Sequence, residues 1–338
     1  MRKGILVFVI LMLLGLLIGS TVGLTASKIF TRPITIVCFA AAGGGTDLVD
    51  RALAEGMKEY LGVQVNVINM TGPGVATEYV WQKPHDGYTL YGVSESGLTY
   101  PVIGAHKTTT KDWEYFIAGG SPGVVMVKPD SPYKTFGDLI AAAKAKPGSI
   151  KVGASVPGGM WNTKWNVLTK VAGIKTNVLG FTGSAPSMTA GLTGEVDVVH
   201  VAVAEGLSYL QAKKLRALCV SELEPYEIPG VGKVPAIVDY LPEAKKVLPM
   251  PQWLGFAVPT DTPRPVLTEL TNAYKFAMQS KAVQKLLSPE QAYVAYGYYG
   301  TKAKQVAEEL ESKFCWTLWE MGTAKINPAD FGIPQPEE

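Results

Sequence analysis

The sequence predicts an α/β protein made of two units, each with a sheet rich in parallel strands. Downstream of residue 27, short apolar runs alternate with segments whose apolar residues recur at helical spacing. This succession of strand, helix and strand predicts right-handed crossovers between parallel neighbours, and it occurs twice along the chain. The roughly 310 residues after the N-terminal segment also exceed what one hydrophobic core usually organises, so we expect two domains.

The first unit begins with a buried strand. Leu48, Leu53 and Met57 then recur at helical spacing, and the Asp86-Gly87 pair is typical of a turn. The predicted elements are strands at 34–39, 63–68 and 89–93, and helices at 46–61 and 76–82.

The second unit repeats this pattern after residue 123. Pro147-Gly148 ends its first helix, because proline cannot continue a helix and glycine favours its C-terminal cap. The predicted strands are 124–127, 151–155, 177–179, 196–201 and 215–220, and the helices are 136–145, 162–172, 186–192 and 207–212. Downstream we expect a surface loop with one short helix at 222–251, a strand at 253–258, and helices at 265–279 and 302–321.

The N-terminus has the features of an export signal. Arg2 and Lys3 precede an apolar run at 5–18, and small residues follow, which is the order found in secretory signal peptides. We therefore interpret 1–27 as a signal peptide. An uncleaved anchor is the alternative, because the stretch 5–24 is about long enough to span a bilayer. Both interpretations place the rest of the chain in the periplasm or otherwise outside the cytoplasm, in the second case tethered to the membrane.

Charge and residue usage exclude several classes of protein. The chain has 31 Lys and Arg and 29 Asp and Glu, and the two extra basic residues are Arg2 and Lys3 of the signal segment. The rest of the chain is therefore close to neutral and lacks the basic surface of a nucleic-acid-binding protein. The three histidines are scattered, so we expect no metal site, no histidine-based triad and no cofactor. Cys38, Cys219 and Cys315 are expected to be buried free thiols, with a Cys38–Cys219 bridge as the alternative if their strands are neighbours.

Three loops share one design, in which small residues follow a strand and precede the start of a helix. They lie at 39–47, 153–162 and 180–186. Glycines let a ligand approach the backbone, and helix starts carry unpaired N–H groups that attract anions. In open α/β sheets such loops lie at the carboxyl ends of strands, where ligands bind. The first loop contains neither G-x-G-x-x-G nor Gly-Lys-Ser/Thr, so it is not one of the common nucleotide cradles.

Several segments together resemble the substrate-binding proteins of tripartite tricarboxylate transporters, the Bug family. The glycine-rich segment 32–47 is similar to the opening of these proteins, and Pro84-His-Asp-Gly-Tyr-Thr-Leu90 resembles their turn-and-strand signature. Further similar segments follow in the family's order at 135–139, 146–148, 183–186, 192–197, 214–218 and 262–265. The resemblance covers nearly the whole chain after the signal segment.

The resemblance implies a type II periplasmic binding fold, in which two α/β lobes are joined by crossing hinge strands. Lobe one would comprise 28–125 plus 252–338 and lobe two 126–251, with crossings near 124–128 and 253–258. In this family a ligand carboxylate is held in the cleft between backbone N–H groups of the first and second loops.

The same resemblance implies a set of ligand-binding residues. The first loop would supply Phe39, Ala41, Gly43, Gly44, Gly45 and Thr46, and the second Ser155, Gly158, Met160, Trp161 and Asn162. The remaining wall would consist of Ser94, Glu95, Gly183, Ser184, Val201, Ala202 and Glu205.

Some of these positions depart from the family's usual residues. Met160 and Trp161 stand where Ser or Thr is usual, and Glu95 and Glu205 stand where small or hydroxyl residues are commoner. If Trp161 and the two glutamates line the cleft, they argue against citrate or another small dicarboxylate. They favour a monocarboxylate whose far end is apolar, aromatic or cationic. In the alternative, Trp161 packs against the surface of its lobe and both glutamates point into solvent.

The resemblance implies a binding protein rather than an enzyme. It would capture a small organic carboxylate as a monomer and deliver it to the permease subunits of a membrane transporter. An exported α/β hydrolase is one alternative, although the sequence has no Gly-x-Ser-x-Gly elbow and no His or Lys near Ser155 or Ser184. A sensor module that presents its ligand to a receptor is another.

Overall fold

A computed structural model describes residues 29–336. Arg32–Glu338 form one compact unit by themselves, and only residues 29–31 of the preceding unit are described. The predicted signal peptide or anchor at 1–27 lies outside the described residues, as do residues 337–338.

Strands and helices alternate through most of this unit. The strands are β1 (Ile34–Cys38), β2 (Val65–Asn69), β3 (Thr89–Ser94), β4 (Trp113–Gly120), β5 (Gly123–Val127), β6 (Lys151–Ser155), β7 (Asn177–Phe181), β8 (Val198–Ala202), β9 (Arg216–Val220), β10 (Tyr226–Ile228), β11 (Gly232–Val234), β12 (Leu254–Pro259) and β13 (Val294–Tyr299). The α-helices are α1 (Gly45–Leu61), α2 (Val75–Trp81), α3 (Tyr100–Ile103), α4 (Phe136–Ala145), α5 (Met160–Val171), α6 (Ser184–Thr193), α7 (Val203–Gln211), α8 (Arg264–Met278), α9 (Lys281–Leu286) and α10 (Gly300–Glu320).

The first sheet has the strand order β13-β4-β12-β3-β1-β2. β1 lies between β2 and β3 and is parallel to both, as the succession of strand, helix and strand predicts. β12 is antiparallel to β3 and β4, and β13 is antiparallel to β4. Segments from the beginning and the end of the chain therefore share this sheet, and we call the part built on it lobe one.

The second sheet, which forms lobe two, has the order β7-β6-β8-β5-β9. β6 is parallel to β7 and β8, whereas β5 is antiparallel to β8 and β9. Each sheet thus combines a set of parallel strands with antiparallel ones. The predicted α/β fold with two lobes is confirmed.

The chain passes from one sheet to the other at two neighbouring places. Ser121 and Pro122 separate β4 in the first sheet from β5 in the second, and the segment ending at Trp253 returns to β12. The chain therefore changes sheets directly before β5 and directly before β12, close to the stretches 124–128 and 253–258. The backbones pack so closely that a side chain at Gly120 would overlap the Gln252 carbonyl group, and the Ser121 N–H donates to Gln252 Oε1 at 3.0 Å.

Several elements are not evident from the apolar periodicity. β4 is apolar along most of its length and almost entirely buried, so it lacks the alternation that marks a half-exposed strand. The region 222–251 contains the β10–β11 hairpin and two 3₁₀ segments, Ile237–Asp239 and Pro242–Lys246, rather than a loop with one short helix. Gly230 and Gly232 adopt positive φ angles in the hairpin turn, a conformation that glycine adopts readily.

The cysteines agree with the expectation from the sequence. All three cysteines are buried free thiols. Cys38 lies in β1 of the first sheet and Cys219 in β9 of the second, so the alternative of a bridge between neighbouring strands is excluded. Within residues 29–336, no helix combines the length and apolarity needed to cross a bilayer.

Lobe one contains a buried carboxyl group at Asp50. This residue is fully buried, and its carboxyl group has no N–H or O–H donor among the described residues but lies beside the Cys38 thiol, a weak donor. Gly92 makes room for it, because a side chain at that position of β3 would overlap the Asp50 carboxyl group. Burial raises the pKa of Asp50 well above its ordinary value, so the folded protein keeps this group protonated where the unfolded chain has lost the proton.

Asp50 should therefore make the protein less stable as pH rises above about 4, because only the unfolded chain then releases the proton. Asp50→Asn removes this titration with little change in shape. Between pH 5 and 7 we expect the unfolding free energy of the wild type to fall by about 1–3 kcal/mol relative to the variant. Urea unfolding at several pH values measures the difference. Other buried carboxyl groups titrate in both proteins, so their contributions cancel in the difference between wild type and variant. If the two proteins showed the same dependence of unfolding free energy on pH, Asp50 would not be the buried protonated group.

Candidate functional site

The first glycine-rich loop is held in place by an acid in the first turn of α1. Asp47 accepts the Gly43 N–H at 2.8 Å, the Arg51 Nε–H at 3.0 Å and the Asn69 amide at 2.8 Å. Burial alone would raise the pKa of Asp47, but these bonds lower it, so the group is ionised. Gly43 has φ +81°, a conformation that side chains disfavour. The Asp47 hydrogen bonds and the positive φ angle of Gly43 thus fix the conformation of the loop that leads into α1 at Gly45.

Gly45 is the point at which this loop faces lobe two. A Cβ atom there would lie 3.4 Å from Leu254 Cδ1, 3.5 Å from Tyr293 Oη and 3.6 Å from Glu205 Oε1. A Cβ atom on Gly44 would instead meet the Ala41 carbonyl oxygen of its own loop at 3.1 Å. Space for a ligand next to the start of α1 is therefore controlled by Gly45.

A carboxyl group of the protein itself occupies this helix start. Glu205, at the beginning of α7 in lobe two, accepts a hydrogen bond from Ser184 Oγ at 2.5 Å, and its Oε1 lies next to Gly45, 3.6 Å from the position of a Cβ atom there. Burial raises the pKa of Glu205, and the Ser184 hydroxyl and the nearby Gly45 N–H partly offset the rise. The starts of α1 and α6, two of the three predicted anion-binding loops, thus converge on one carboxyl group.

The second glycine-rich loop also contacts lobe one. It docks on the 3₁₀ segment Glu95–Thr99 that follows β3. Thr99 Oγ1 donates to the Gly158 carbonyl oxygen at 2.9 Å, and the Met160 N–H donates to Ser96 Oγ at 3.2 Å. Within the loop, Ser155 Oγ accepts the Asn162 N–H at 3.1 Å. The lobes are therefore in contact, with the N–H groups of Met160 and Asn162 bonded to serine side chains.

Glu95 is the second carboxyl group at this contact. Its side chain is buried, and Oε2 accepts the Trp253 N–H at 2.8 Å. Burial raises the pKa of Glu95 to about 8, and the nearby charge of Glu205 contributes to the rise. Trp253 directly precedes Leu254, whose side chain lies next to Gly45. The two glutamates are therefore neighbours, one from each lobe.

A third acid, Glu222, is paired with a lysine. Lys164 is fully buried on α5, and its Nζ lies 2.7 Å from Glu222 Oε1 and 3.0 Å from the Met250 carbonyl oxygen. Glu222 Oε1 also accepts the Gly123 N–H at 2.8 Å. The pair therefore links α5 to both segments by which the chain passes between the lobes.

Trp161 lies inside lobe two. It is 5% exposed, its ring packs edge-on against His200, and a side chain on Gly123 would meet it. Its carbonyl oxygen is 3.0 Å from His200 Nδ1, which places the proton on that nitrogen. Burial lowers the pKa of His200 to about 3, so this imidazole is neutral. Trp161 is therefore buried within its lobe rather than packed on the lobe surface, and Glu95 and Glu205 lie at the contact between the lobes rather than in solvent.

The other predicted site residues lie in the core, at a helix cap or on partly exposed loops. Val201 and Ala202 are buried at the end of β8, and Val201 belongs to the core of lobe two. Ser94 accepts the Ser96 N–H as the cap of the 3₁₀ segment. Thr46 is buried within α1, whereas Phe39 is partly buried and Ala41 and Gly183 are exposed.

Sequence reasoning missed Lys164, Glu222, Tyr293 and Ser96, which all lie at this contact. One signal existed for Lys164. It follows Trp161 by three residues and precedes Leu168 by four, which places it on the apolar face of α5. A lysine on an apolar helix face indicates a buried partner. Among residues 29–336, no group of three His, Cys, Asp or Glu side chains is arranged to hold a metal ion.

Two α/β lobes whose glycine-rich helix starts face one another define the class of periplasmic solute-binding proteins. The chain matches the sequence profile described as "Tripartite tricarboxylate transporter family receptor" over residues 49–314, and it belongs to this family. The family consists of periplasmic binding receptors and not of enzymes, so the hydrolase alternative is excluded. The resemblance seen in the sequence is confirmed.

Individual relatives support the same assignment. Protein BugT of Bordetella pertussis is 26% identical over 282 residues, which are 81% of this chain and 85% of BugT. A TctC solute-binding protein from Polaromonas has a solved structure that is 25% identical, with a TM-score of 0.67 and coverage of 86% of this chain and 99% of that one.

Two structures of lower identity share the fold. R. palustris Rpa4515 with adipate has a TM-score of 0.75 at 21% identity, covering 87% of this chain and 98% of that one. MatC from Rhodopseudomonas palustris with bound malate has a TM-score of 0.74 at 20% identity, covering 85% and 99%.

The buried ion pair between Lys164 and Glu222 can be tested by mutation. Glu222→Gln keeps an acceptor for the Gly123 N–H but leaves Lys164 without its counter-charge, so we expect stability to fall by about 3–5 kcal/mol. Adding Lys164→Met should restore part of this loss. The exposed pair between Lys170 and Glu320, 2.6 Å apart, provides the matched control, because Glu320→Gln should cost less than about 1 kcal/mol. Equal losses for the two glutamine variants in urea unfolding would contradict this account.

Proposed function

We propose that the chain is a periplasmic solute-binding protein that captures a small organic carboxylate between its lobes. It then delivers the ligand to the permease subunits of a tripartite tricarboxylate-type membrane transporter. Membership in the receptor family supports the transport role. The adipate and malate in the two structures of the same fold support the ligand class.

One observation carries the proposal for the site. A carboxyl group, that of Glu205, already lies next to the start of α1 and accepts a hydrogen bond from the Ser184 hydroxyl. Unpaired N–H groups and the helix dipole favour an anion at such a position, and a ligand carboxylate has the same donors available when Glu205 moves aside. We therefore assign ligand contact to the first loop around Gly45 and to the facing start of α5.

The two lobes would open and close around this site. We propose 28–125 plus 252–338 as lobe one and 126–251 as lobe two, with motion at the crossings beside Ser121 and Trp253. Hinges of this kind consist of a few residues that absorb a change in backbone angles. The hydrogen bond from Thr99 to the second loop would break on opening, and Glu205 would separate from Gly45.

A carboxylate ligand should stabilise the folded protein, because it binds the native state alone. In a thermal-shift panel of mono-, di- and tricarboxylates, sugars and divalent metal ions, we expect the stabilising compounds to be carboxylates. At 100 times the dissociation constant the gain is about 2.7 kcal/mol. Stabilisation by a sugar or a metal ion, with no carboxylate active, would contradict the proposal.

Gly45→Val should weaken carboxylate binding at least tenfold with a small effect on folding. Its Cβ atom fits at 3.4–3.6 Å from its neighbours, but the added methyl groups would fill the space next to Glu205 and Tyr293. Gly137→Val is the matched control, because its Cβ atom would lie 3.5 Å from Thr135 Oγ1 and 3.6 Å from Tyr240 Cδ1 in the first turn of α4. Calorimetry should show weakened binding for the first variant alone. Equal affinities would show that ligand does not approach the start of α1.

A further inference from the structure

We infer that the ligand of this cleft is an amino carboxylate, whose cationic nitrogen is held by Glu205 and Glu95 while its carboxylate takes the helix-start N–H groups. The inference rests on the proposed function and specifies its ligand. Nitrogen and carboxylate would be separated by one or two carbon atoms.

The charge balance at the interlobe contact motivates the inference. Glu95, Glu205 and Glu222 all lie there, but the lysine at this contact, Lys164, is paired with Glu222. Within residues 29–336, neither Glu95 nor Glu205 takes part in an ion pair. Carboxyl groups removed from water need a proton or a cation to compensate for lost hydration, so this contact has two acids that a cation would compensate.

The geometry brings the two free acids together from opposite lobes. Glu95 is bonded to the Trp253 N–H, and the next residue, Leu254, touches the same position beside Gly45 as Glu205 does. The charge of Glu205 also raises the pKa of Glu95, as expected for neighbouring acids. A nitrogen between them would form charge-assisted hydrogen bonds to both lobes.

The spacing within the ligand follows from the neighbours of Gly45. Its N–H group can donate to an anion, and Glu205 Oε1, which can accept from a cation, lies 3.6 Å from the position of a Cβ atom on Gly45. A ligand that uses both must have its negative and positive groups close together. This arrangement occurs in α- and β-amino acids and is absent from simple dicarboxylates.

The hydroxyl group of Tyr293, which also lies next to Gly45, can bind a cationic nitrogen as well. The Tyr293 hydroxyl would lie 3.5 Å from a Cβ atom on Gly45, and burial together with Glu205 raises the pKa of Tyr293, which keeps it neutral. A neutral phenol can accept an N–H bond from the ligand. A second carboxylate at this position would instead lie beside Glu205, where two like charges repel.

Matched ligand pairs test the inference. Alanine and propionate, aspartate and succinate, glutamate and glutarate, and phenylalanine and 3-phenylpropionate differ by the amino group alone. We expect at least one amino compound to bind the wild type at least tenfold more tightly than its partner in calorimetry. Glu205→Gln should reduce this preference to about threefold or less, and Glu95→Gln should reduce it partly. Glu243→Gln, on the exposed 3₁₀ segment Pro242–Lys246 of lobe two, should leave it unchanged.

The outcomes separate the inference from the proposed function. If compounds without nitrogen bind equally well or better, the inference is wrong and the proposed function stands. If Glu205→Gln tightens their binding and the wild type shows no amino preference, Glu205 only imitates a ligand carboxylate, and the inference is again wrong. If no carboxylate of either series binds, the proposed function fails and the inference with it.

Discussion

The arrangement of the two lobes depends on the close contact where the chain passes between them. Gly120 and Gln252 touch backbone to backbone, and Ser121 is bonded to Gln252 across this contact. The same serine accepts the Ala204 N–H at 3.0 Å, at the start of α7, and donates to the Ala292 carbonyl oxygen at 2.8 Å. One residue therefore positions the helix that carries Glu205 and the loop that leads to Tyr293. Without this contact the candidate site would not assemble.

The electrostatics of the contact follow from burial. Where a cation is within reach, burial is compensated by pairing, as Glu222 and Lys164 show. Where no ion pair forms, the pKa rises, as it does for Glu95 and Glu205. The resulting environment differs from the neutral cradle of backbone N–H groups that the family resemblance implies. Glu205 supplies a negative group at the place where that cradle would hold one from the ligand.

Local signals in the sequence were sufficient for many elements of the fold. Helix α4 and strand β6 have the predicted bounds, because Thr135 and Asp138 cap each other's backbone and Pro147-Gly148 ends the helix. β4 and β13 were not predicted. Their identity as strands comes from hydrogen bonds to distant segments, since β4 pairs with β12 and β13 along its whole length. Such long-range pairing leaves little trace in local periodicity.

The candidate site divides in the same way. The amino-acid sequence by itself determined the glycine-rich loops and the helix starts that follow them, because turn and cap chemistry acts within a few residues. It also contained the two unusual glutamates. The tertiary structure alone decided where these side chains lie: Trp161 buried beside His200, Glu95 on the Trp253 N–H, Glu205 next to Ser184 and Gly45, and Lys164 on Glu222. The direction of a side chain and the water around it depend on segments more than a hundred residues away, and these in turn set its charge.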